Sequence, residues 1–397
     1  MQSNHIIAVL SSDEGFHFIK NNLNGNPNDL ALKYSGKTSF DLKTALYLIG
    51  IYKKASKKVP IISNNLLAID QRSYEQSTSQ KVAQYKTSFI RGKHLLDLTA
   101  GIGIDSLYLS HNFEKIEAIE LNLSLHELAC FNLEKLGINN IKRIHGDSFE
   151  FLSGKVWDWI YIDPDRRING KRAVDLKYLR PDILGSLNLI KKAASKIYIK
   201  LSPLFDLSEI ARRFNHLNTI YLIAEKNEIK EVGIFIDCSI KSDTRNATLH
   251  LVDVSTNYSA SFSFNEYFKR SNFIYDTGYN RFLHTPLNLI SKSSCFHVFT
   301  KGINVTKHPE FQLFFSDNNN LPGFKTLEII DKCVLSVKKI KQILRLNSIV
   351  KMNIVVKGLD QLSTEWHNKL GTTDGGDYFL FVLKSVEGEA LLCKRVI

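Results

Sequence analysis

The chain predicts an α/β architecture: an open, mostly parallel sheet with helices on both faces, an N-terminal helical region and small C-terminal α+β domains. Three observations carry this reading. From Lys93 onward, five short β-rich runs (HLLDLT, IEAIEL, IKRIH, WIYID and KIYIKL) alternate with segments of helical period, the pattern of strands joined by crossover helices. The next two runs, TIYLIAE and EVGIFIDCSI, are separated only by KNEIK, which suits an antiparallel hairpin and not a parallel crossover. Beyond about residue 245 the alternation stops. The expected sheet has seven strands, five parallel and a closing hairpin, and the expected divisions are 1–90, 91–263, 264–328 and 329–397.

Residues 1–90 read as helical. SFDLKTALYLIGIYKKASKK has apolar residues at helical spacing, with Ser39 or Asp41 to cap it and Pro60 to end it. A second helix runs through TSQKVAQYKTSFI and stops before Gly92. Between the strands, GIDSLYLSH, LSLHELACFNLEKL (closed by Gly137) and PDILGSLNLIKKAAS have helical period. TLHLVDVST and SASFSFNEY then read as antiparallel strands. The final stretch, from VLSVKKIKQILRL to YFLFVLKSVEGEALLCKRV, reads as a small α+β module.

Composition bounds the function. The 397 residues are 44% hydrophobic and 23% charged, an ordinary globular balance. Apolar stretches such as Ala45 to Tyr52 fall short of the roughly 20 residues needed to span a bilayer. The opening MQSNHIIAVLSSDEGF has no basic n-region or long apolar h-region, so a cytoplasmic location is expected. Five scattered cysteines without a CxxC pair argue against a zinc site or a disulfide framework, and no metal is expected. Fifty-two Lys and Arg against 40 Asp and Glu give a net charge of +12, which favours a polyanionic partner such as RNA. The excess is sharpest in VLSVKKIKQILRL. There Val334, Val337, Ile340 and Leu344 recur at helical spacing, so Lys338, Lys339, Lys341 and Arg345 should project from the other face. That face is either an RNA contact or simply solvated.

The strand ends carry the chemistry. After the first strand comes DLTAGIGIDS, where Gly101 and Gly103 allow a tight turn and close approach of a ligand to the backbone. The third position of a nicotinamide-type G-x-G-x-x-G is Ser106 here, and Asp97 and Asp105 would repel a pyrophosphate. A cationic, phosphate-free cofactor fits better, and S-adenosyl-L-methionine is one. Glu120 ends the second strand, 19 residues after Gly101, where a carboxylate can accept both ribose hydroxyls. Asp147, in HGDSF after the third strand, is placed for an adenine amine or for an ordinary turn. The fourth strand ends in Asp163-Pro164. Proline holds the preceding residue extended, so the carboxylate stands beyond the sheet edge, able to bind an acceptor amine or take its proton. Arg166 and Arg167, followed by Lys171 and Arg172, either hold a substrate phosphate or pair with acids of the N-terminal helices. At the end of the fifth strand, where enzymes that methylate pyrimidine carbon 5 place a cysteine, stands Leu201-Ser202-Pro203, which argues against covalent catalysis.

With these motifs the chain resembles the class I S-adenosylmethionine-dependent methyltransferases, whose Rossmann-like sheet ends in such a hairpin. More narrowly it is similar to an uncharacterised bacterial, Bacteroidetes-type family with a C-terminal THUMP-like domain. The likeness rests on Glu75-Gln76-Ser77-Thr78, Tyr85-Lys86, DLTAGIGID, AIELN, GDSF, IYIDPDRR, Lys200-Leu201-Ser202-Pro203, Asn227-Glu228-Ile229-Lys230-Glu231 and, near the end, Lys369-Leu370 with Gly375-Gly376-Asp377-Tyr378-Phe379-Leu380-Phe381. The family has alanine where Asp165 stands. The resemblance implies a small ferredoxin-like domain over 264–328 and a THUMP-like domain over 329–397. It adds Gln76, Thr99 and Ser148 to the cofactor-binding candidates and implies methyl transfer to RNA, tRNA or rRNA. A small-molecule methyltransferase with an oligomerisation module, a degenerate RNA-binding protein and a nicotinamide oxidoreductase stay open as alternatives.

Overall fold

The computed structural model describes residues 2–396 other than 153, 166, 169–170, 173–175, 241–242, 257, 270, 276–279 and 385–387. It divides into two compact units, Met1–Phe264 and Asn265–Ile397.

The first unit begins with seven helices: α1 (Ser3–Ser11), α2 (Asp13–Asn21), α3 (Pro27–Tyr34), α4 (Leu42–Lys58), α5 (Pro60–Asn64), α6 (Gln71–Gln76) and α7 (Gln80–Thr87). Asp41 caps α4 by accepting the Thr44 N–H at 3.1 Å, and Pro60 opens α5 immediately after α4 ends. The apolar stripes of these helices close a core around Ile6, Ile19, Leu48, Tyr52 and Ile69. That core also takes in Ile104, Tyr108 and Leu128 from α8 (Ile104–Leu109) and α9 (Leu123–Leu136), so the N-terminal helices pack directly on the sheet's own helices.

The strands are β1 (His94–Asp97), β2 (Lys115–Glu120), β3 (Ile141–His145) and β4 (Trp157–Ile162), then the short hairpin β5 (Arg167–Ile168) and β6 (Lys171–Arg172). β7 (Ala194–Leu201), β8 (Thr219–Glu225), β9 (Glu228–Asp237), β10 (Thr248–Asp253) and β11 (Ser259–Ser263) follow, with α10 (Ile183–Ala193) before β7 and α11 (Leu207–Arg213) after it. The main sheet runs β3-β2-β1-β4-β7-β9-β8-β10-β11. β1 to β4 and β7 are parallel, while β9 runs antiparallel to both β7 and β8, the expected hairpin inserted with its second strand inward. The sheet has nine strands, two more than the sequence predicts. TLHLVDVST pairs parallel with β8, and SASFS adds an antiparallel edge strand, so both extend the main sheet. Chain order reverses direction at β1, where β2 lies on one side and β4 on the other, opening a crevice at their C-terminal ends.

The second unit forms one eight-stranded sheet, so the expected boundary near 328 falls within a single sheet. Its elements are β12 (Ile274–Tyr275), β13 (Phe282–Pro286), α12 (Asn288–Ser293), α13 (Phe296–Phe299), β14 (Thr306–Lys307), β15 (Phe314–Ser316), β16 (Phe324–Val334), α14 (Val337–Leu346), β17 (Lys351–Lys357), α15 (Ser363–Leu370), β18 (Thr373–Leu383) and β19 (Glu389–Arg395), with strand order β12-β14-β15-β13-β16-β19-β18-β17. The long β16 pairs with both β13 and β19 and joins the two halves. α14 and α15 cover one face through Ile340, Leu344, Trp366 and Leu370. Val334, expected on the α14 stripe, ends β16 instead and is half exposed. No helix among the described residues is long and apolar enough to cross a membrane, and among them no group of three or more His, Cys, Asp or Glu could hold a metal ion.

Candidate active site

The glycine loop is built by pinning the backbone after β1 between its two neighbours. Leu98 donates to the Tyr161 carbonyl at 3.0 Å and Ala100 to the Ile119 carbonyl at 2.9 Å. Gly101 (φ +53°) and Gly103 (φ +88°) then turn the chain through the left-handed region into α8. A Cβ added to Gly101 would meet nothing within 4 Å, so open space lies against the loop. On β3, the half-buried Arg143 donates to the Gly101 carbonyl at 2.7 Å, bracing the turn.

The acidic residues fall into two groups. Asp97 is buried and turned inward, accepting from the Thr99 N–H at 3.0 Å and from the Ser106 hydroxyl. Burial pushes its carboxyl up to about 6, against the pull of Ser106, Thr99 and Arg143. Its oxygens accept from the loop, so Asp97 braces the glycine turn from within. Glu120 stands at the mouth, with one oxygen accepting the Gly101 N–H at 2.7 Å and the other the Asn122 N–H at 2.8 Å. Each oxygen keeps a second lone pair for a ligand hydroxyl. Asp147 accepts the Phe149 N–H at 3.0 Å in a turn, next to Ser148.

Asp163 follows β4 directly. Its backbone N–H donates to the Thr99 hydroxyl at 2.6 Å, which ties the acidic strand end to the glycine loop. Its carboxylate accepts from Lys200 Nζ at 2.5 Å. Asp165 faces elsewhere: its backbone pairs with Arg180, and its carboxylate lies 3.7 Å from Arg72 on α6. One contact of this loop with the N-terminal helices thus joins an acid of the loop to an arginine of a helix. Arg166 lies outside the described residues, and Arg167, Lys171 and Arg172 are described only in their backbone, as β5 and β6. Gln76 is exposed at the end of α6. Its neighbour Thr78 is the residue that enters the site.

Behind Asp163 lies a buried charge network that the sequence does not reveal. Lys86 on α7, fully buried, meets Asp105 at 2.7 Å, Glu231 at 3.1 Å and the Tyr161 hydroxyl at 2.8 Å. Tyr198 donates to the other Glu231 oxygen at 2.8 Å. Thr78 donates to Asp105 at 2.7 Å and accepts from Lys200 at 2.9 Å. Burial alone would raise Asp105, but Lys86 and Lys200 outweigh it and bring its carboxyl down to about 2. Burial likewise pulls Lys200 down, and the carboxylates of Asp163, Asp105 and Glu231 override that, holding it above the ordinary lysine value.

This geometry can be set beside known proteins. No family model matches the chain. The crystal structure of a "putative methyltransferase" from Porphyromonas gingivalis W83 superposes over 100% of both chains with a TM-score of 0.83 at 22% identity. The fold is that of the class I S-adenosylmethionine-dependent methyltransferases. Among curated proteins, a tRNA/tmRNA (uracil-C(5))-methyltransferase of Actinobacillus pleuropneumoniae serotype 5b is 27% identical over 177 residues, 40% of this chain and 45% of that protein. An uncharacterised RNA methyltransferase of Mycoplasma mobile is 35% identical over 77 residues, 19% of this chain and 21% of that protein. The chain thus spans less than half the length of these curated relatives. On the methyltransferase fold, the glycine loop, Glu120 and Asp163 occupy the C-terminal ends of β1, β2 and β4, the crevice where open α/β sheets bind ligands.

Proposed function

We propose that the chain is an S-adenosylmethionine-dependent methyltransferase acting on RNA, tRNA or rRNA, by direct transfer without a covalent enzyme intermediate. The observation that carries this is the convergence of an open glycine turn, Glu120 and Asp163 on one crevice, with Thr99 tying the cofactor loop to the acceptor carboxylate. The donor set fits the cofactor: Glu120 offers lone pairs to ribose hydroxyls, the Gly101 turn admits close backbone approach, and Asp147 and Ser148 suit an adenine edge. When bound, S-adenosylmethionine supplies an electrophilic methyl group on a sulfonium. Asp163 would accept a hydrogen bond from an acceptor amine, align its lone pair and hold the proton it releases. Its relatives' names support an RNA substrate, as does the cationic face of α14. The thiolate route is disfavoured. Ser202 follows β7, while Cys130 lies on α9 and Cys238 follows β9, away from the strand ends that form the crevice.

The second unit is our candidate for the ferredoxin-like and THUMP-like domains of the bacterial family that the motifs resemble, and the protein is proposed to work in the cytoplasm. Calorimetric titration should give binding of S-adenosylhomocysteine and none of NADH. Mass spectrometry of RNA nucleosides from a deletion strain should show one methylated nucleoside missing. Asp163→Asn should bind S-adenosylhomocysteine within a few-fold of wild type yet lose on the order of a hundredfold in methyl transfer. An unmodified RNA profile with intact cofactor binding would move the reading to a small-molecule acceptor, and absence of cofactor binding would leave an RNA-binding protein without turnover.

A further inference from the structure

Two lysines serve the buried network, and they differ in what they can still do. Lys86 is fully buried, and its three N–H donors are matched by Asp105, Glu231 and Tyr161, so it is saturated where it stands. Lys200 sits at the open end. Its side chain is 13% exposed and its ammonium holds Asp163 at 2.5 Å and Thr78 at 2.9 Å, with Asp105 at 3.8 Å. Through Thr78 and Asp105, which stands in the first turn of α8, Lys200 connects the acceptor carboxylate to the helix that follows the glycine loop. Among the described residues the Lys200 ammonium is the only partner of the Asp163 carboxylate, and it takes Oδ2.

We infer that Lys200 is a positioning residue for methyl transfer: it fixes the Asp163 carboxylate in one orientation and so presents it to the hydrogen-bond donor of the acceptor. This rests on the methyltransferase reading above and deepens it, because a carboxylate held in a fixed orientation favours an acceptor that donates a hydrogen bond, an amine or a hydroxyl, over a carbon acceptor that donates none. Among the described residues the network holds three carboxylates (Asp105, Asp163, Glu231) and two ammoniums (Lys86, Lys200), an excess of one negative charge. A nitrogen that gains positive charge as it is methylated is stabilised beside such a cluster. Removing the Lys200 ammonium leaves Asp163 and Asp105 as neighbouring carboxylates without their shared counter-charge, and like charges resist ionising together.

The experiment compares wild type, Lys200→Met, Lys200→Arg, Asp163→Asn and the Asp163→Asn/Lys200→Met double variant. S-adenosylhomocysteine affinity is measured by calorimetry and methyl transfer to bulk RNA from a deletion strain is followed across pH. Lys200→Met should keep S-adenosylhomocysteine affinity within about threefold and lose about tenfold or more of kcat at pH 7. The acid limb of its rate profile should move up by about one pH unit. Lys200→Arg should return the acid limb towards wild type, since a guanidinium stays charged. In the Asp163→Asn background, Lys200→Met should add almost nothing, the signature of two residues acting as one. A merely structural Lys200 would lower the melting temperature without moving the acid limb. Wild-type kcat and acid limb in Lys200→Met, or losses that add in the double variant, overturn the inference while leaving the methyltransferase standing. Wild-type protein that does not bind S-adenosylhomocysteine overturns the methyltransferase reading itself, and this inference with it.

Discussion

Glu120 serves two purposes with one carboxylate: it holds the Gly101 and Asn122 amides and faces the crevice where ribose hydroxyls would sit. Glu120→Ala should therefore cost about 2 to 4 kcal/mol of S-adenosylhomocysteine affinity, because both the loop amides and the ligand hydroxyls lose an acceptor. Glu120→Gln, which keeps one acceptor oxygen, should fall between; titration calorimetry on both decides, and unchanged affinity in the alanine variant removes the assignment. Asp97 makes the complementary case, an acid whose work is internal. Its folded pKa of about 6 stands above the ordinary 3.8, so folding holds a proton that the unfolded chain releases. Its stabilisation is fully present below about pH 4 and is lost as pH rises through 6, a change of roughly 3 kcal/mol across that window. Asp97→Asn keeps the acceptor for Ser106 but cannot titrate. Denaturant unfolding of the variant from pH 4 to 7 should show a flatter decline in stability than wild type, and parallel curves would refute the assignment. The sequence displays Glu120 and Asp97 because both stand in the strand-to-loop motifs that carry them. It hides Thr78, Lys86, Lys200 and Glu231 as site residues, because their partners lie 19 to 145 positions away and only the folded sheet brings them together.

Among the elements, the β8–β9 hairpin is a place where local chemistry and fold agree. Lys226 and Asn227 occupy the turn with φ of +54° and +60°, a conformation costly for a lysine and tolerable for an asparagine. The buried Asp253, at the end of β10, makes the turn sustainable by accepting from the amides of Asn227 at 2.6 Å, Ser255 at 2.9 Å and Lys226 at 3.2 Å. Asp253→Ala should deprive the Asn227 and Ser255 amides of this acceptor, while the Lys226 amide keeps the Ser255 hydroxyl at 2.9 Å, and lower stability by about 2 to 4 kcal/mol, read as a fall in the denaturant midpoint. The short KNEIK link makes the hairpin readable in the sequence. The extension to β10 and β11 is not readable, because a parallel pairing of β10 with β8 leaves no local signal in either segment. The same holds for the second sheet, where one long strand, β16, serves two neighbours through pairings distant in the chain. Helices with strong periodicity, such as α9 with its Asn122 cap and Gly137 at φ +67°, could be placed almost to the residue.

For the molecule taken whole, the net charge of +12 is the property that a polyanionic substrate would exploit. The charge is not evenly spread. From Asp331 to Lys357 there are seven basic residues (Lys332, Lys338, Lys339, Lys341, Arg345, Lys351 and Lys357) against one acid. α14 buries Ile340 and Leu344 while Lys338, Lys339 and Arg345 lie exposed and Lys341 is partly so, which separates the apolar face from the cationic one as the periodicity predicts. If that face binds RNA phosphates, each contact releases condensed counterions. The logarithm of affinity should then fall linearly with the logarithm of salt, by about 0.7 for each phosphate contact on a single strand. Reversing Lys338, Lys339 and Lys341 to Glu should weaken binding to bulk RNA and flatten that slope, with S-adenosylhomocysteine affinity unchanged because the cofactor crevice belongs to the other unit. The two readouts separate the possibilities. A solvated helix face predicts a salt slope indifferent to the triple reversal, and an oligomerisation surface predicts a change in sedimentation with no change in RNA affinity. A phosphate-binding face predicts loss of affinity at low salt that shrinks as salt rises, since the variant has fewer counterions left to release.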